Sequence, residues 1–284
     1  MIIDGAAIAR EIESHIQKGI AELKHRRPGL AFLLIGDNPA SRSYIKMKKK
    51  KCGEVGIVSF DREFPPTISE MELLAEIQLL NENPAVDGIL VQLPLPSHLN
   101  TASVLSAIDP TKDVDGFHPM NVGKMLLGEQ GGFLPCTPLG IQVLLTRSQI
   151  PLLGKHVVIV GRSNIVGKPL AAILMQKAPH CNATVTVAHS LTEHLTDICR
   201  SADILVAALG KPQFIQASMV RKGAAVIDVG MNRGNNGKLV GDVDFDQVAP
   251  LTSAITPVPK GVGPMTIAML LSNTLLSYQR RQAL

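Results

Sequence analysis

Short apolar runs of strand length alternate along the whole chain with longer stretches in which apolar residues recur every three to four positions. That alternation is the pattern of βαβ units and predicts an α/β protein with parallel sheets. In the first half, strands are predicted at 31–36, 57–63 and 88–93, and helices near 4–25, 41–55, 69–82 and 101–107. In the second half, strands are predicted at 156–160, 184–188, 204–209 and 225–229, with helices near 137–148, 166–177, 192–200 and 217–221. Turn-forming Asp37-Asn38-Pro39, Pro65-Pro66 and Asn83-Pro84 fall between these elements. From Asp109 to Pro138 the chain is rich in Gly and Pro without sustained periodicity, and reads as linker and loop. A last apolar stretch from Met265 to Tyr278 has helical spacing, but periodicity does not say which domain it joins.

Length and composition narrow this picture. A chain of 284 residues with 45% hydrophobic and 18% charged residues accommodates two ordinary domains with sizeable cores. No apolar run approaches the ~18 residues of a membrane span. The N-terminus has acids early and no basic region followed by a cleavable apolar one, so a cytoplasmic protein is expected. Cys52, Cys136, Cys181 and Cys199 are far apart and form no Cys/His cluster, so free thiols and no metal site are expected. The net charge of +4 is modest, but Lys46 to Lys51 hold five lysines in six positions. A solvated helix face and a site for an anionic small molecule both fit that run. With seven Phe, two Tyr and no Trp, base stacking has little to draw on, and a nucleic-acid partner is not expected.

The chemistry concentrates in two places. After the apolar run Val157 to Val160, Gly161 and Gly167 bracket Arg162, Ser163, Asn164, Ile165 and Val166 and lead into an apolar helix. Glycine at a strand-to-helix turn lets backbone approach a pyrophosphate, and the helix start supplies unpaired N–H groups. The middle glycine of the usual dinucleotide fingerprint is missing, so a plain structural turn also fits. The next strand ends Ala188-His189-Ser190 without the carboxylate that an NAD ribose uses; Ser190 and Arg162 suit a 2′-phosphate, which favours NADP. Further Gly-rich connections follow the later strands at 209–210, 229–232 and 257–264.

The other place is Tyr44 and Lys48, four residues apart on a predicted helix with Ser41 as its expected N-cap. A lysine partly desolvated against an aromatic ring can act as a general acid or base near neutrality; an ordinary helix face is the alternative. Gln92 ends an otherwise apolar strand and must find partners for its amide. Asp113 and Asp115 lie in the loop region and can cap turns or hold a polar heterocycle.

Taken in order, Tyr44 to Lys48, Val91 to Pro96, Lys112 to Gly116, Pro135 to Pro138, Gly161 to Gly167, Ile255 to Pro259 and Gly261 to Thr266 resemble the bifunctional methylenetetrahydrofolate dehydrogenase/methenyltetrahydrofolate cyclohydrolase family over almost the whole chain. The resemblance implies a homodimer whose subunits hold a folate-binding catalytic domain (1–136, completed by 265–284) and a Rossmann-like NADP domain (137–264), with a cleft between them and the C-terminal helix returning to the first. It implies Lys48 as the catalytic lysine, Tyr44 stacking on the folate, Gln92 tuning the lysine and Asp115 holding the pterin ring. Gly161, Arg162, Ser163 and Ser190 match cofactor-binding positions, and Met231 matches one on the nicotinamide side. Lys51 and its neighbours are candidate partners of a folate glutamate tail. Two positions depart from the family's usual pattern: Lys260 replaces a glycine of the Pro-Gly-Gly-Val-Gly loop, and Leu191 replaces a lysine after Ser190. A two-domain NADP reductase of the shikimate dehydrogenase type would share the nucleotide half but leave Gln92 and Asp115 without a role.

Overall fold

The computed structural model describes residues 1–234 and 237–283, so residue 284 of the expected C-terminal return lies outside the described residues. The first half runs α1 (Gly5–Ala21), β1 (Gly29–Ile35), α2 (Pro39–Val55), β2 (Val58–Phe64), α3 (Glu70–Glu82), β3 (Gly88–Val91), α4 (Thr101–Ser106) and α5 (Pro119–Leu127). There follow α6 (Cys136–Arg147), β4 (His156–Val160), α7 (Gly167–Leu174), β5 (Thr184–Ala188), α8 (Leu195–Arg200), β6 (Ile204–Ala207) and β7 (Ala225–Asp228). The chain ends with β8 (Asn232–Arg233), β9 (Leu239–Val240), α9 (Phe245–Val248), β10 (Ala254–Ile255) and α10 (Val262–Gln282). Two compact units result, one of Glu11–Leu134 with Ile267–Leu284 and one of Met1–Arg10 with Pro135–Thr266.

In the unit containing Glu11–Leu134, a parallel sheet has the order β2-β1-β3. Every residue of central β1 is buried, which its uninterrupted apolar sequence allows. Edge strand β2 carries Asp61, Arg62 and Glu63 and is largely exposed. Helix α2 starts three residues before the expected Ser41: Asn38 is the cap, its side chain accepting from the amides of Ala40 (3.0 Å) and Ser41 (3.2 Å), with Pro39 preset for the first turn. The helix stops at Gly56, which takes the left-handed conformation at φ 92°. A reciprocal box between Ser69 and Glu72 starts α3.

The expected loop at 109–138 contains α5, which the sequence pattern hides because only Asn121 and Met125 of its nine residues are buried. His118 caps it through Nδ1, which accepts from the Met120 amide at 3.1 Å, and Gly128 ends it at φ 73°. The expected helix at 217–221 is a single 3₁₀ turn, Ala217–Met219. The C-terminal helix begins at Val262 rather than 265; Pro264 is tolerated because first-turn amides need no helical partner. Asn273 on α10 donates to the Val114 carbonyl at 2.8 Å, which ties this part of the helix to the loop before Gly116.

In the unit containing Pro135–Thr266, a parallel sheet has the order β10-β7-β6-β4-β5. From β4 the chain first moves outward to β5 and then returns to β6 on the other side of β4. The connections therefore diverge between β4 and β6, the point in an open α/β sheet where ligands enter at the carboxyl ends of the strands. The N-terminal residues extend the β10 edge: Ile3 N donates to Ile255 O (2.8 Å) and Ile255 N to Met1 O (3.0 Å). Among the described residues, no helix is long and apolar enough to cross a membrane.

Candidate active site

The buried positions of α2 are Ser41, Ile45, Lys48, Cys52 and Val55, a stripe with helical spacing. Lys48 thus occupies a core-facing position and is only 4% exposed, whereas the other lysines of the run lie outside the stripe. Its ammonium is 4.5 Å from the centroid of the Tyr44 ring, as the four-residue spacing requires. It also donates to Gln92 Oε1 at 3.2 Å. Gln92 follows the last residue of β3; its amide NH₂ donates to Leu93 O at 2.8 Å, which fixes the side chain with its oxygen towards the lysine. One turn beyond Lys48, burial pushes the Cys52 thiol up to about 12, so it is a packed and unreactive group.

Lys49, Lys50 and Lys51 of the run meet acids. Lys49 pairs with Asp61 (3.1 Å) and Glu63 (3.5 Å) on β2, and Lys51 with Glu13 and Glu54 at 2.9 Å each. The positive run is therefore largely neutralised by its own fold. Lys51 in particular is already committed, which weakens its candidacy for a glutamate tail.

The two aspartates of the following loop differ. Asp113 is buried and accepts from the amides of His118 (2.8 Å) and Phe117 (3.2 Å) and from Asn121 Nδ2 (2.8 Å). Burial pushes its carboxyl up to about 6, against the pull of those donors. It shapes the loop. Asp115 is half-buried and follows Val114, whose side chain packs against Gly88 at the start of β3.

In the unit with the five-stranded sheet, Gly161 has φ 133°, and a Cβ there would lie 2.1 Å from the Ala208 carbonyl oxygen, just after β6. A Cβ on Gly167 would lie 2.0 Å from the Gly161 oxygen. Both glycines are thus required by close backbone approach at the divergence between β4 and β6. Ser163 Oγ accepts from the Val166 amide at 3.1 Å and so shapes the turn into α7. Arg162, Ser163 and Ser190 are all exposed. His189 is used locally: its Nδ1 accepts from the Leu191 amide at 3.2 Å.

Two carboxylates that sequence reading missed hold the other loops of this rim. Asp242, fully buried, accepts from the amides of Leu209 (2.6 Å), Gly210 (2.9 Å) and Lys211 (2.9 Å) and from Asn232 Nδ2 (2.8 Å). Asp228 accepts from the amides of Gly230 (2.9 Å), Asp242 (2.9 Å) and Val243 (3.0 Å), and burial pushes its carboxyl up to about 6. An Asp ending an apolar strand and an Asp after Gly241 were the available signals. Met231 lies half exposed between these loops, and its sulfur would be 3.4 Å from a Cβ on Gly263. Lys260, two residues before α10, has φ 85°. Among the described residues, no group of three or more His, Cys, Asp or Glu is placed to hold a metal.

A sequence model of the tetrahydrofolate dehydrogenase/cyclohydrolase catalytic domain matches residues 3–115, and one of the same family's NAD(P)-binding domain matches residues 135–282. The chain belongs to this family. It is 56% identical over 290 residues to the bifunctional protein FolD of Protochlamydia amoebophila (strain UWE25), covering 100% of this chain and 99% of the relative. Among solved structures, the bifunctional FolD methylenetetrahydrofolate dehydrogenase/cyclohydrolase of Campylobacter jejuni has a TM-score of 0.96 at 48% identity, covering 99% of each chain. The Trypanosoma brucei dehydrogenase-cyclohydrolase, solved with NADP and an inhibitor, has a TM-score of 0.93 at 39% identity, covering 99% of this chain and 98% of that one. Family membership makes the α/β class and the pairing of a catalytic with an NAD(P)-binding domain properties of this chain.

Proposed function

We propose that the protein oxidises 5,10-methylenetetrahydrofolate to 5,10-methenyltetrahydrofolate with NADP and then hydrolyses the product to 10-formyltetrahydrofolate, within one-carbon metabolism. The observation that carries this reading is Lys48, a buried amine in an apolar stripe, held by an oriented amide and an aromatic ring. The glycine cradle at 161 and 167, with exposed Arg162, Ser163 and Ser190 and no acid at the end of β5, fits a nucleotide carrying a 2′-phosphate. Met231 is the proposed contact on the nicotinamide side.

NADP, when bound, accepts the hydride of the bridging methylene carbon. The chain's own work in that step is positioning: Tyr44 stacks on the folate, and Asp115 accepts paired hydrogen bonds from the aminopyrimidine edge. In the hydrolytic step water adds to the methenyl carbon and the bond from that carbon to the ring nitrogen breaks. Lys48 passes one water proton to the departing nitrogen while the other leaves to solvent, and Gln92 keeps the amine aimed at the reacting carbon. The domains proposed for these roles are 1–136 with 265–284 for folate and 137–264 for NADP. A cytoplasmic homodimer is the proposed working form.

The test is a single mixture of purified protein, methylenetetrahydrofolate and either NADP or NAD, with reduced nicotinamide and methenyl absorbance followed together. Reduced nicotinamide should accumulate with NADP, and the methenyl signal should decay faster than in buffer. Absence of both signals would sink the reading.

A further inference from the structure

A cavity lies wholly within the unit of Glu11–Leu134 and Ile267–Leu284, between α5 and the carboxyl end of α10. Its volume is about 660 Å³, within the range of small-molecule sites, and none of Tyr44, Lys48, Gln92 or Asp115 lines it. Three cations do, Lys124, Arg280 and Arg281, and there is no acid among the described lining residues.

The neighbouring interactions leave much of that charge unanswered. Arg280 is held in place, its guanidinium 5.0 Å from the centroid of the Phe133 ring and Nη1 donating to Gly131 O at 3.0 Å, which leaves its other N–H groups available. Arg281 Nε is buried and makes no hydrogen bond. It lies 3.6 Å from Asp87 Oδ1, but Asp87 already accepts from both Nη atoms of Arg26 (2.6 and 2.7 Å) and from the Gly29 amide (2.8 Å). The ammonium of Lys124 has no ion pair among the described residues. Close by, fully buried Lys112 donates to the carbonyls of Leu80 (2.9 Å), Asn81 (2.6 Å) and Asn83 (2.9 Å); burial and then the charge of Arg281 push its ammonium down to about 8. The last turns of α5 and α10 each present a partial negative charge of about one half, less than the three cations that face the cavity. The rest of the wall includes Met120, Phe133 and Asn121, so the cavity is not polar throughout.

We propose that this cavity is a binding site for a small organic phosphate, its phosphate held by Lys124, Arg280 and Arg281 and its apolar body against Met120 and Phe133. Phosphate recruits such a fork of guanidinium and ammonium donors. The proposal does not depend on the folate reading, because the cavity shares no residue with Lys48 and its neighbours.

Calorimetric titration with phenyl phosphate, with inorganic phosphate as the probe of the head group alone, tests it. With NADP saturating the nucleotide site, the full chain should give a saturable one-site isotherm, and phenyl phosphate should bind about tenfold more tightly than phosphate. Lys124→Gln and Arg280→Gln should each weaken binding about tenfold, while Arg162→Gln and Lys48→Met leave it unchanged. Lys124 makes no ion pair among the described residues, so its variant tests the site even where an arginine change disturbs folding. An isotherm unaltered by both Lys124→Gln and Arg280→Gln would overturn the proposal. So would loss of binding on Arg162→Gln, which would place the anion on the glycine turn, or the lack of any saturable isotherm.

Discussion

Lys48 and Arg162 are both long cations proposed to serve ligands, yet the fold holds them in opposite ways. Lys48 is buried, and its ammonium is fixed by an aromatic ring and by an amide whose own orientation is set by a backbone carbonyl. Arg162 is exposed on a turn where the backbone is what is fixed, by two glycines that tolerate no Cβ and by Ser163. Proton transfer depends on one atom at one distance, so its group is immobilised before substrate arrives. Phosphate binding is electrostatic and tolerant of distance, so its cation can remain solvated until needed.

The largest effect that would test this contrast is Lys48→Met. Hydrolysis should fall by about 10²–10⁴-fold, the usual worth of a positioned acid–base group, while thermal stability holds or rises because methionine suits the apolar stripe. Hydrolysis of methenyltetrahydrofolate above the spontaneous rate, measured by loss of methenyl absorbance, would remove Lys48 from its role. Arg162→Gln should weaken NADP binding about tenfold and NAD binding little, as expected for one lost charge-assisted contact. Equal losses for both nucleotides in a binding titration would mean that the 2′-phosphate is read elsewhere.

A smaller effect concerns pH. Because the Asp113 carboxyl is raised from 3.8 to about 6, the folded state binds its proton more tightly than the unfolded chain does. Its contribution is therefore present at low pH and is lost as pH rises between about 4 and 6. Urea unfolding of the protein and of Asp113→Asn across that window should show the difference in stability shrinking as pH rises; a difference that grows would contradict the raised carboxyl. Smallest is Lys260→Gly, which relieves a lysine at φ 85° and should stabilise the chain by about 1 kcal/mol in thermal unfolding. A destabilised glycine variant would mean that the lysine side chain has a compensating contact.

The contrast also explains what could be read from the sequence. Short uninterrupted apolar runs carry the main strands, which are buried on both faces, and three-to-four-residue spacing carries the long helices, which are buried on one. The four-residue spacing of Tyr44 and Lys48 translates directly into a contact. Helix α5 was hidden because nine residues with two buried positions give no period. Asp228 and Asp242 were hidden for another reason: Asp242 receives Leu209, Gly210 and Lys211, and Asp228 receives Asp242 and Val243, amides distant in sequence that no local pattern links to a carboxylate. The same holds for Lys51, whose partner Glu13 comes from another helix.

The acids on β2 have a further use. That strand is an open edge of its sheet, with backbone that could pair with an extended segment of another molecule. Asp61, Arg62 and Glu63 in succession, with Lys49 reaching across from α2, line that edge with charges which an incoming strand would have to desolvate. Lys49 of the run that first suggested an anionic ligand thus also helps to keep this molecule from aggregating along its sheet edge.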